Sequence, residues 1–437
     1  MSEFKKKFRV TMLMGCLIFF SGLGNADDHQ EKRFDDDKLA AIKTQFDSYY
    51  LDGRIPNYAF GLYSRSGETF FSAINGATKI NAGREVDLNT IYWLASMTKP
   101  VVSAAIMKLV QEGKIALDDE LSKYFPEFSD MLVAPEGNYD NTLEEAKTAI
   151  TLRHLITHTS GLTYQPNVTG VGDVAEQYAE FGIMSCYQAG GATLAEHMEM
   201  LSQLPLIAHP GEAWNYSVGI DALGALIEKV SGQKLDAYLE ENFFEPLGME
   251  NSFFYVPPEK RTNASRIFTS LDAANMPDND PAAKINWKIA ESAQWKGAFE
   301  ATEPPACSSG GGGLWASVND FGRFLQMIAN DGSAGGVEIL KPSTVSLMLE
   351  NQTATLLPET FARAFGEDAS SFMEFTAGFG RKIVDEKVDY YFWGGAANTF
   401  FWMDKGNDHI GVFATQLVPS VYNVSDNIEE IVDQAGL

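Results

Sequence analysis

Apolar positions enter this chain in two rhythms. From Leu39 they recur at about 3.6 residues, through Ile42, Phe46 and the Tyr49–Tyr50 pair, and predict an amphipathic helix. The rhythm then changes. YAFGLYS and ETFFSAI flank Arg65-Ser66-Gly67, and two β-rich runs about a short glycine-bearing turn read as a hairpin. After Asn89, the stretch WLASMTK opens a second helix. Its apolar face continues through Val101, Val102, Ala105, Ile106, Leu109 and Val110 until Gly113 stops it.

From about 115 to 305 the pattern is helical, with segments expected at 142–158, 193–203 and 219–230 between long loops bearing Pro, Gly and Asn. Beyond about 310 strands return as VDYYFWGG, ANTFFWMD and HIGVFATQLV. The last two are joined by the turn Lys405-Gly406-Asn407-Asp408, and a final helix covers roughly 424–434. Strands at both ends around a helical middle predict an α/β (α+β) protein. One lobe (about 40–115 and 310–437) is built from both chain ends, and a mostly helical lobe (about 115–305) is inserted into it. The cleft between lobes is the expected place for a small-molecule site.

The first 26 residues are of another kind. Lys5, Lys6, Lys7 and Arg9 precede an apolar run from Val10 to Leu23, and Gly24-Asn25-Ala26 follows with small residues at its ends. That is the layout of a secretory signal peptide cleaved after Ala26, which leaves residues 27–437 as an exported protein, periplasmic or secreted. The run, about 14 residues long, is shorter than the roughly 20 a membrane span requires, so cleavage is favoured over an uncleaved anchor. Leu13-Met14-Gly15-Cys16 mimics a lipoprotein acylation site, but apolar residues continue beyond the cysteine. No stable membrane contact is expected after cleavage.

Composition narrows the function. The 437 residues are 45% hydrophobic and 21% charged, as in a protein with a large core. A net charge of −26 argues against nucleic acid as a partner, because phosphates need Lys and Arg clusters, and equally against anionic lipid. A monomer is the default expectation. Export leaves two cysteines, Cys186 and Cys307, which could pair in an oxidising compartment; the sequence does not say whether they meet. There is no CxxC or HExxH spacing. His154 and His158, four apart in HLITHTSGL, read as part of a helix–turn segment rather than as metal ligands.

The chemistry begins at Ser96-Met97-Thr98-Lys99. Residues i and i+3 on a helix face the same way, so Lys99 can reach Ser96 and serve as the base that a serine nucleophile needs. The plainer alternative is a serine that caps a helix, and the tetrapeptide alone does not choose. The same pattern occurs at Ser2-Lys5 and at Ser231-Lys234, where Gly232 reads as a helix stop. Tyr216, just before the apolar helix of HPGEAWNYSVGIDALG, is a candidate proton carrier. Tyr139-Asp140-Asn141, in a loop, and Trp295-Lys296-Gly297 read as coincidental look-alikes. The glycine run 310–313 lacks the Lys-Ser/Thr of a phosphate loop.

Taken in order, ASMTK, TLRHLITHTSGL, PGEAWNYSVGIDALG, SSGGGGLWAS and WGGAANTFFWMD with HIGVFATQ resemble the serine β-lactamase/penicillin-binding-protein superfamily. The class C branch and the family VIII carboxylesterases are the most similar. The resemblance implies a β-lactamase-like fold with an antiparallel sheet flanked by helices. It implies Ser96 as the acylated nucleophile, with Lys99 and Tyr216 as general base and acid. The backbone N–H groups of Ser96 and Ala396 would form the oxyanion hole. Trp393-Gly394-Gly395 would line the cleft in the place of Lys-Thr-Gly, with Val218 in the place of the Tyr-x-Asn asparagine.

Two departures separate the expected activities. Val218 and Trp393 stand where a β-lactamase has an amide and a cation, and such contacts are worth roughly 1–3 kcal/mol each when charge-assisted. A flat apolar wall suits small uncharged esters. The expectation is therefore a serine hydrolase cleaving small carboxylic esters through an acyl-enzyme, with neither metal nor organic cofactor. The alternatives are β-lactamase or D-Ala-D-Ala peptidase activity, or acyl transfer by the same residues.

Overall fold

The computed structural model describes residues 34–79, 83–166, 168–186, 191–270, 287–289, 302–353, 373–418, 424 and 428–436. The signal-peptide segment, with Ser2-Lys5 inside it, and Trp295-Lys296-Gly297 lie outside the described residues.

Helix α1 (Asp36–Leu51) starts where its chemistry demands. The Asp35 carboxylate accepts from the N–H groups of Asp37 and Lys38, and Asp36 and Asp37 lie in the positive first turn. The hairpin follows as β1 (Asn57–Tyr63) and β2 (Thr69–Gly76). Short β3 (Ile91–Trp93) pairs with β4 (Trp315–Ser317). The remaining main strands are β5 (Met373–Phe375), β6 (Gly380–Val384), β7 (Lys387–Gly395), β8 (Thr399–Asp404) and β9 (His409–Ala414). They form one seven-stranded sheet in the order β5-β6-β7-β8-β9-β1-β2, and every pairing in it is antiparallel. The register Ala59↔Ala414 joins the two ends of the chain within the sheet.

Side chains alternate across that sheet with period two. Tyr58, Phe60, Leu62, Phe400 and Trp402 meet Leu39, Ile42 and Phe46 of α1 and Ile428 and Val432 of the last helix, α8 (Ile428–Ala435). Ala59, Tyr63, Phe401, Met403 and Val412 face the other way. There they meet the main core, which holds α2 (Thr98–Gln111), α6 (Gly219–Ser231) and α7 (Val318–Ala329). Burial on both faces is why the polar residues of β1, β8 and β9, namely Asn57, Thr399, Asp404 and His409, lie only at strand ends.

Between the strands lie α3 (Leu152–Ile156), α4 (Gly172–Glu180) and α5 (Leu194–Ser202), besides α6. The helix expected over 142–158 is corrected to α3 alone. Glu144–Glu145 instead pairs with Leu132–Val133. Thr151 then starts the helix afresh, its side chain accepting the His154 N–H in a capping box. Gly113 and Gly232 stop α2 and α6 with φ of 70° and 74°, as their positions implied. Cys186 and Cys307 are joined in a disulfide, with Cα atoms 5.1 Å apart. It ties the stretch after α4 to the segment leading into Gly310–Gly313.

Candidate active site

Helix α2 is buried along nearly its whole length and packs on α6, and the turn before it packs on β7. Ser96 lies there in a single 3-10 turn, Ala95–Met97, that precedes α2. It is not a cap. The cap positions are Leu94 and Met97, and neither makes a side-chain capping bond. Ala95 holds φ at 48°, a left-handed conformation that costs a non-glycine residue about 1–3 kcal/mol.

Lys99 is one turn on and 1% exposed. Its Nζ donates to Gly311 O at 2.7 Å and reaches Ser96 Oγ at 3.3 Å. Two phenol rings cover it: Nζ lies 4.5 Å from the ring centre of Tyr216 and 5.3 Å from that of Tyr164. A lysine between an acceptor carbonyl, a hydroxyl and two π faces is held by several weak restraints at once.

Tyr216 precedes α6, which begins at Gly219 with Val218 at the cap position. Val218 is 2% exposed, and its N–H donates to Thr163 O at 3.2 Å. The Tyr216 ring centre lies 5.2 Å from Tyr164 and 5.8 Å from Trp393. Trp393 is 4% exposed and meets Phe375 edge-on at 5.2 Å. It pairs with Phe401 near the end of β7, and Gly395 with Thr399 at the last rung, so Ala396 begins the turn beyond.

The end of β7 is pressed against the turn that carries Ser96. A Cβ on Gly395 would fall 2.2 Å from Leu94 O and 3.2 Å from the Ala95 Cβ, so only glycine fits. Thr399 Oγ1 also donates to Leu94 O at 3.2 Å. The Gly395 end of β7 and the turn that carries Ser96 are thereby held together. Ser96, Lys99, Tyr216 and Trp393, named from the sequence, are thus brought together, with Gly395 against the turn that carries Ser96.

Four contributors were given no catalytic or binding role from the sequence. Asp221, in the first turn of α6, is 1% exposed. Its Oδ1 accepts from Ser309 Oγ at 2.6 Å and from the Gly311 N–H at 3.0 Å. Burial pushes this carboxyl above the usual range, against the pull of the Ser309 hydroxyl, the Lys99 charge and the Gly311 N–H. Gly311 therefore links the buried carboxylate, through its N–H, to Lys99, through its carbonyl. Tyr164 closes the other side of Lys99. The fourth is His158, fully buried against Tyr216 with ring centres 4.8 Å apart. Burial, with the Lys99 charge adding, holds its imidazole well below the ordinary range. The sequence did carry one signal for Asp221, a lone carboxylate on the apolar helix GIDALGALI.

Among the described residues, two clusters have donor atoms close enough for a metal ion: Cys186, His197 and Cys307, and Asp404, His409 and Asp433. The chemistry of the donors does not fit one. His197 Nδ1 accepts the Met184 N–H and His409 Nδ1 accepts the Trp402 indole N–H. With Nδ1 accepting, each ring carries its proton on Nε2, the other possible ligand atom. The two sulfurs of the first cluster are also already bonded to each other.

A beta-lactamase family model matches residues 33–435. The chain belongs to that family. Its relatives include protein Rv1367c of Mycobacterium tuberculosis, 32% identical over 356 residues, 79% of this chain and 82% of that one. Esterase EstB of Burkholderia gladioli is 31% identical over 303 residues, 67% and 71% of the two chains. Among solved structures, EstCE1, described as a hydrolase with promiscuous acyltransferase activity, superposes with a TM-score of 0.72. The identity is 22%, and 91% of this chain and 99% of EstCE1 are covered. The beta-lactamase-like fold expected from the sequence is thus the fold observed, antiparallel sheet and both chain ends included.

Proposed function

We propose that this beta-lactamase-family chain is an exported serine carboxylesterase acting on small uncharged esters. The observation that carries the reading is Lys99 Nζ, buried and 3.3 Å from Ser96 Oγ. Ser96 Oγ attacks the ester carbonyl and its proton passes to the Lys99–Tyr216 pair. The N–H groups of Ser96 and Ala396 take the negative oxygen of the tetrahedral intermediate. The pair then gives the proton to the departing alkoxide, and the alcohol leaves. Water repeats the sequence on the acyl-enzyme: it loses a proton to the pair, releases the carboxylic acid and returns the proton to Ser96 Oγ. No metal or organic cofactor takes part, and one chain suffices.

Trp393 supports ester over lactam, since a buried indole offers apolar area where a cation would draw a carboxylate. The naming of EstB as an esterase agrees with this. The disulfide fits export, because oxidised cysteines persist outside the reducing cytosol. A second reading, acyl transfer to an alcohol, is favoured by the description of EstCE1 and uses the same acyl-enzyme with an alcohol in place of water.

The test is kcat/KM on p-nitrophenyl butyrate beside nitrocefin, with and without an added alcohol. One missing amide hydrogen bond and one missing charge-assisted contact together predict an ester preference of about a hundredfold. Nitrocefin turned over as well as the ester would overturn the reading. Ester product in place of acid when the alcohol is present would favour the transferase.

A further inference from the structure

His158 is joined to the peptide units on both sides of Tyr216. Its carbonyl oxygen accepts the Asn215 N–H at 2.7 Å. Its Nδ1 accepts the Ser217 N–H at 3.3 Å, with Ser217 Oγ at 3.2 Å. Between these anchors the imidazole lies against the Tyr216 ring, with Phe375 and Trp214 at 5.4 and 5.8 Å. Tyr216 thus has a neighbour on each side tied to a single residue.

Holding His158 there is unfavourable locally in two ways. Its φ is 58°, which a residue with a Cβ adopts only under constraint. Because Nδ1 accepts a main-chain N–H, the proton is on Nε2, and that buried Nε2 has no hydrogen-bond partner among the described residues. An unmet buried polar group in a native structure calls for a reason. A carbon side chain of similar size would fill the space without it, but could not accept the Ser217 N–H.

We propose that His158 is a positioning residue for Tyr216, fixing the phenol over Lys99 by clamping residues 215 and 217. The proposal rests on the reading of Tyr216 as a proton carrier. Its effect belongs to proton transfer rather than binding, because displacing a catalytic group by about an ångström costs up to roughly a hundredfold in rate.

The experiment is a double-mutant cycle on p-nitrophenyl butyrate with His158→Leu, Tyr216→Phe and the combined variant, each checked by thermal melting. His158→Leu should lower kcat about tenfold or more while KM moves less than about threefold. In the Tyr216→Phe background the same change should cost less than about twofold, since nothing remains to position. Equal losses in both backgrounds would mean His158 serves the fold alone, and would overturn the proposal. Should the leucine variant fail to fold, His158→Asn and His158→Gln replace it. Asn can put Oδ1 where Nδ1 stands and should keep most of the rate, whereas Gln puts its polar atoms farther out and should not. Equal rates for these two would also overturn the proposal. If Tyr216→Phe itself retains full activity, the reading of Tyr216 fails, and that outcome is distinct from an additive cycle.

Discussion

Lys99 Nζ lies closer to the Gly311 carbonyl oxygen, at 2.7 Å, than to Ser96 Oγ, at 3.3 Å. The lysine is therefore anchored on the glycine run and directed toward the serine, and the anchor is in turn held by buried Asp221. Replacing Lys99 by Met keeps the volume and removes the amine. The expected outcome in ester hydrolysis is a fall in kcat/KM of about a thousandfold, with the melting temperature little changed.

The anchor can be moved without touching any reacting group. A Cβ on Gly311 would fall 2.3 Å from Asp221 Oδ2 and 2.7 Å from Tyr164 Oη, so Gly311→Ala must displace the segment. Stability should drop by about 1–3 kcal/mol and kcat by about tenfold or more, read by denaturant unfolding and steady-state kinetics.

These two glycine and lysine contacts mark the limit of what the sequence conveyed. Ser96, Lys99 and Tyr216 were legible because two of them share a helix turn and the third precedes a periodic helix. The hairpin and the C-terminal strands were legible as runs rich in aromatic and β-branched residues about short turns. Asp221, Gly311, Tyr164 and His158 act through contacts across long stretches of chain, and only packing brings those together. A buried aspartate on an apolar helix looks the same in sequence whether it meets a serine, a glycine N–H or solvent. The segment 142–158 misled for a local reason: Thr151 caps a new helix where the pattern suggested a continuous one.

Acid should destabilise the protein earlier than its carboxylates alone would dictate. Burial lowers the affinity of His158 and His197 for a proton in the folded state. As pH falls through the ordinary imidazole range near 6.5, the unfolded chain takes up protons that the folded chain does not. Stability is thus fully present above that pH and is lost below it, by up to about 1.4 kcal/mol per pH unit for each histidine. Urea midpoints between pH 7.5 and 5 should fall, and the slope should be shallower in His197→Gln.

The Cys186–Cys307 bond closes a sequence separation of 121 residues, so its loss enlarges the unfolded ensemble. Changing both cysteines to serine should lower stability by about 2–5 kcal/mol. A reductant should reduce the stability of the parent protein and leave the double variant unaltered.

The central claim is that acyl groups pass through Ser96. The most direct measurement is intact-mass spectrometry of the protein quenched in acid during p-nitrophenyl butyrate turnover, with peptide mapping and Ser96→Ala alongside. The account predicts a butyryl adduct on the peptide containing Ser96, absent from the alanine variant, whose kcat/KM falls by about a thousandfold or more. An alanine variant as active as the parent, or an adduct mapped to another residue, would contradict it.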